Sequence, residues 1–144
     1  MTPRLEYALS AGALAIVLVL MAGRLFDFDP GNAFLWWLAA TAGASAAIAA
    51  AWVCRWRWVS RARSGLARLA GTVSCTVLVA MALFFPLCVG LSAFLSPEEP
   101  VVAWFYGAAV FGAFAVVFGT LPALLATTPL AWRFLRRRNL RPAA

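Results

Sequence analysis

A single all-α bundle of four transmembrane helices, an integral membrane protein, is the fold class this sequence predicts. Three observations predict it. Of 144 residues, 65% are hydrophobic and 12% charged, with a mean hydropathy of +0.89; a soluble domain carries roughly 25% charged residues. The few charges divide the chain into four long apolar runs. Those charges also alternate in sign from loop to loop, as membrane topology requires.

The first run, Tyr7 to Gly23, is 17 residues long and reaches Phe26 if Arg24 extends its head to the interface. The others are Pro30 to Cys54, Leu69 to Pro97 and Pro100 to Trp132. A helix needs roughly 20 apolar residues to cross a hydrocarbon core, so spans are expected over about 7–26, 34–54, 69–95 and 101–125. A basic tail, 133–144, follows. Arg4 and the first run resemble a signal peptide, but Glu6 lies in the basic segment and no A-x-A site precedes Arg24. The run is read as a retained helix.

The joints are marked by turn formers. Asp27, Asp29, Pro30, Gly31 and Asn32 separate the first two spans, and Ser96-Pro97-Glu98-Glu99-Pro100 separates the last two. Pro100 can open a helix, with two glutamates near its positive end. Pro86 falls inside the third run, where it removes a hydrogen bond. At Pro122 the fourth helix should either kink and continue obliquely or end near Leu125, with a surface segment after it.

All twelve basic residues are arginines, and ten lie in two clusters. Arg55, Arg57, Arg61, Arg63 and Arg68 precede the third span; Arg133, Arg136, Arg137, Arg138 and Arg141 follow the fourth. The loops on the opposite side carry Arg24 against Asp27, Asp29, Glu98 and Glu99. Excess arginine marks the cytoplasmic face, so both termini are expected there, in a bacterial inner membrane. Arg55-Trp56-Arg57-Trp58 interleaves basic and aromatic residues as a nucleic-acid surface does. Directly after a span it reads instead as an anchor in anionic lipid headgroups, with Arg61, Arg63, Arg136, Arg137 and Arg138 in the same role. Nucleic acid is not an expected partner.

Several chemistries lack their residues. There is no histidine, so bis-histidine haem and imidazole acid–base catalysis are excluded. Cys54, Cys75 and Cys88 form no CxxC pair and read as small hydrophobes. Apart from Arg24, taken as interfacial, the runs contain no charge to mark an ion or substrate path. Hard cations favour carboxylates, but the four loop acids are accounted for by topology and helix starts. No catalytic residue, metal or cofactor is expected.

What the runs do supply is packing surface. Ala39, Gly43, Ala47 and Ala51 repeat every fourth residue in the second span; Ala108, Gly112, Ala115 and Gly119 form a similar stripe in the fourth. Small residues let helix backbones approach closely. Ser45, Thr72, Ser74, Thr76, Ser92 and Thr120 are expected to add interhelical hydrogen bonds. Together these features point to a non-catalytic accessory or assembly subunit of a larger membrane complex, contacting lipid and either a membrane-protein partner or further copies of itself. The alternative is a small homo-oligomeric transporter, channel or holin-like protein.

Overall fold

A computed structural model describes residues 2–27, 33–56 and 65–139, with side chains to residue 136. Among these residues all regular structure is helical. The elements are α1 (Pro3–Leu25), α2 (Ala33–Val53), α3 (Gly65–Leu95), α4 (Val101–Phe114), a π-helical turn (Ala115–Gly119) and α5 (Thr120–Asn139). Four helical stretches are long and apolar enough to cross a membrane: α1, α2, α3 and the continuous rod from Val101 to Arg136.

The helices begin and run where local chemistry allows. Thr2 caps α1, its hydroxyl accepting from the Leu5 N–H at 3.4 Å, and Pro3 occupies the first turn, where a missing N–H costs nothing. Helix α1 therefore begins four residues before Tyr7 and takes in Arg4 and Glu6. It ends at a turn in which Asp27 adopts φ 54°, a left-handed conformation that Asp tolerates better than most side chains. Pro86 sits on the exposed side of an unbroken α3.

Of the two alternatives at Pro122, the fourth helix does not end near Leu125 but continues: the rod runs 36 residues to Arg136, about 54 Å, and on to Asn139. The wide turn lies immediately before Pro122. Proline has no N–H, and its ring collides with the carbonyl four residues back, here Phe118, inside that turn. Winding one extra residue into the turn accommodates the proline without ending the helix.

The rods pack as a ring. Helix α1 lies on α2 and α5, α2 on α1 and α3, and α3 on α2, α4 and α5. Two apolar clusters hold the two halves. The larger joins Tyr7, Ala8 and Ala11 of α1 to Ala50, Cys54, Val73, Ala131, Phe134 and Leu135, so that every rod contributes. The smaller joins Phe84 and Cys88 of α3 to Ala108 of α4, with Leu38 and Ala42 of α2 against it.

Buried hydroxyls mostly turn back onto their own helices. Thr41 donates to the Trp37 carbonyl at 2.9 Å, Ser45 to Ala42 at 2.8 Å and Thr72 to Arg68 at 2.7 Å. The expected interhelical bonds of Ser45 and Thr72 are thus corrected. In an apolar surrounding the nearest acceptor is the carbonyl three or four residues back. Thr76 and Thr120 reach another helix as well: Thr76 meets the Tyr7 hydroxyl, and Thr120 approaches the Met81 sulfur at 3.7 Å.

Candidate functional site

At the basic end of the bundle, where α1 and α5 meet, Glu6, Tyr7, Thr76 and Arg133 come together. Tyr7, almost fully buried, hydrogen-bonds Thr76 of α3 through its hydroxyl at 3.2 Å. Its ring stacks on Phe134 of α5 with centroids 5.2 Å apart. One residue earlier, Glu6 forms an ion pair with Arg133 at 3.2 Å. Thr76 in turn donates to the Thr72 carbonyl at 2.8 Å. Tyr7 is thus tied to two helices by two different forces: a hydrogen bond to α3 and ring packing to α5.

A crevice opens between Glu6, Tyr7 and Ser10 on one wall and Leu130, Arg133 and Phe134 on the other. Its volume is about 30 Å³. Ligand sites run to roughly 300 Å³ or more, so in this conformation the crevice takes water but no organic substrate.

The headgroup residues flank the same end. Arg55 is exposed, Trp56 half-buried, and the Arg136 guanidinium stands 5.4 Å above the Trp132 ring. Such a cation–π pair holds the arginine beside an interfacial tryptophan. Arg137 and Arg138 belong to the last turn of α5. Arg57, Trp58, Arg61 and Arg63 lie outside the described residues.

The α2 stripe packs where the small residues predict, with one exception. Ala39 and Gly43 are buried; a Cβ at Gly43 would lie 2.6 Å from Cγ1 of Ile16 and 3.2 Å from the Gly12 carbonyl oxygen. The methyl of Ala47 would lie 3.2 Å from a Cβ at Gly12. Ala51 instead faces outward. The α4 stripe is looser. Ala108 is buried and Ala115 packs beside it, but a Cβ at Gly112 would meet Phe85 at an ordinary 3.8 Å, and one at Gly119 would meet nothing within 4 Å.

Sequence reading missed four partners. Gly12 is the second half of the α2 seam, since a Cβ there would lie 3.0 Å from the Gly43 carbonyl oxygen. Its signal was available in Ala8 and Gly12, small residues four apart. Gly23 packs under Leu35, where an added Cβ would approach Cδ1 to 2.8 Å. Tyr7 and Glu6 gave no sign of their partners, because Phe134 and Arg133 stand near the other end of the chain. Among the described residues no group of three or more histidine, cysteine or acidic side chains is placed to hold a metal. The chain matches no family model, no curated protein and no solved structure.

Proposed function

We propose that this protein is a non-catalytic subunit of a larger bacterial inner-membrane complex, with both termini in the cytoplasm, acting by helix packing and lipid contact. The observation that carries the reading is the outward flank of the fourth rod. Val102, Tyr106, Val117, Leu121 and Leu125 are each 68–78% exposed, so one apolar face stays open over most of the rod's length. Such a face serves acyl chains or the helices of a partner, which associate through packing and not through the hydrophobic effect. At the basic end Arg55, Arg133 and Arg136 suit anionic headgroups, each contributing about 1 kcal/mol near the surface. The reactive groups nearest them, Tyr7 and Glu6, are engaged in holding helices together.

Extraction in mild detergent should recover the protein in a stoichiometric complex with another membrane protein. The pure protein in liposomes should neither transport nor conduct. Saturable transport lost on Thr120→Ala would overturn the subunit reading in favour of a homo-oligomeric transporter or channel. Orientation is checked separately, in a cysteine-free background. Ser96→Cys should react with an impermeant maleimide from outside and Ser64→Cys should not; the reverse pattern would invert the topology.

A further inference from the structure

The fourth rod is built in two halves that are held differently. Above the wide turn, α4 is seated on α3 through Ala108 against Phe84 and Cys88. Below it, α5 lies on α1 and α3 through Ala131, Phe134 and Leu135. Between the halves the backbone is weakened three times within eight residues. The turn Ala115–Gly119 is π-helical, Pro122 cannot donate to the carbonyl ladder, and a Cβ at Gly119 would find open space. Within this stretch Thr120 donates its hydroxyl to the Val116 carbonyl. Sharp bends in helices occur at these features. On the α1 side the turn meets Phe26, edge-on to Phe114 and Phe118 at 5.3 and 5.7 Å.

We propose that α5 is a hinged arm. It pivots at Ala115–Pro122 and is latched against α1 by Glu6–Arg133 and by Tyr7, which is stacked on Phe134 and hydrogen-bonded to Thr76. The latch suits such a role. Its ion pair is rim-exposed, with Arg133 62% accessible, and exposed pairs are weak. Its aromatic pair is one stacking contact, with Ala131 and Leu135 packed in the same core, and the small crevice opens between α1 and α5 beside it. Swinging α5 outward would widen that crevice toward the basic end and the surrounding lipid. Helices α1 and α2 would stay together, because their seam is formed by glycine backbones in contact. Hinge motions of this kind turn on a few residues at the ends of elements. A subunit and a transporter could each use such an arm, so the hinge does not depend on the subunit reading.

The test uses the full chain in liposomes, with Cys54, Cys75 and Cys88 replaced by alanine and spin labels on exposed positions. Leu5→Cys with Trp132→Cys reports the α1–α5 distance, and Leu5→Cys with Trp52→Cys reports α1–α2. The latched protein should show one dominant α1–α5 distance. Combining Glu6→Gln with Phe134→Ala, which removes the ion pair and the ring stack and leaves the Tyr7–Thr76 bond in place, should raise a second, longer component at least threefold while leaving the α1–α2 distance unchanged. Deleting Val117 removes the extra residue of the wide turn and keeps both halves in register, so adding it should abolish the longer component. Where that deletion disturbs the α1–α2 control, Pro122→Ala takes its place and should reduce the longer component at least twofold. An unchanged α1–α5 distance in the latch variant would overturn the proposal. So would equal broadening of the α1–α2 control in that variant, or a long component that survives both hinge variants.

Discussion

The α1–α2 seam and the fourth rod carry similar small-residue stripes and use them in opposite ways. In the seam, Gly12 and Gly43 bring two backbones close enough that an added Cβ would lie 3.0 Å from a carbonyl oxygen. In the fourth rod, Gly112 is in ordinary contact and Gly119 is in open space. A repeat of small residues therefore states that close approach is permitted. Whether it happens depends on what stands opposite. The α2 stripe meets a glycine on α1, whereas in the fourth rod Ala108 packs on Phe84 and Cys88 but Gly112 and Gly119 meet the bulk of Phe85 or nothing.

The largest effect should come from Gly12→Leu. Neither the Gly43 carbonyl nor the Ala47 methyl can move aside without shifting α2, and overpacking of this kind costs typically 1–3 kcal/mol or more. Reversible unfolding in mixed micelles should show a loss of about 3 kcal/mol; a loss below 1 kcal/mol would show that the seam is softer than its geometry. Tyr7→Phe comes next. It removes the hydroxyl shared with Thr76 and keeps the stack on Phe134, so the loss should be about 0.6–1.5 kcal/mol, the range for buried hydrogen bonds between membrane helices. If Thr76→Val costs nothing further in the Tyr7→Phe background, the two groups act through each other. The smallest effect, of opposite sign, is expected for Gly119→Ala. With nothing within 4 Å and no positive φ, the new methyl should stabilise the helix by about 0.4–1 kcal/mol. A destabilisation there would mean that the open space is occupied in the membrane, which would bring the fourth rod closer to the seam in character.

The spans are legible in the sequence because they depend on transfer free energy, which is local. Glu6, Arg24, Asp29, Arg55, Arg68, Glu98 and Arg133 bound the apolar runs, and the helices follow those runs to within a few residues. Gly43 is legible for a related reason, since its stripe keeps the helical period throughout α2. Gly119 is misplaced by its stripe because Ala108, Gly112, Ala115 and Gly119 align only at 3.6 residues per turn. The wide turn starts at Ala115 and adds one residue, rotating the remainder of the rod by about 100°. Pro122 reads as a kink or a stop, and the third outcome, an unbroken helix with a wide turn ahead of the proline, is not encoded by the proline alone. The basic-end site is the least legible. Arg133 reads as the start of a basic tail and Glu6 as the edge of a span, and their pairing exists only after four helices have closed into a ring.

That closure has a consequence for biosynthesis. Tyr7 is made well before its ring partner Phe134, which lies near the other end of the four-helix ring in sequence. At roughly 5–20 residues per second, the interval between them is on the order of ten seconds. During that time α1 has one flank uncovered and a tyrosine hydroxyl awaiting Thr76. The glycine seam is complete as soon as α2 has been inserted, since Gly12, Gly23, Leu35 and Gly43 all lie within the first two helices. The close backbone contact of Gly12 with Gly43 can therefore form before any residue of the later helices exists.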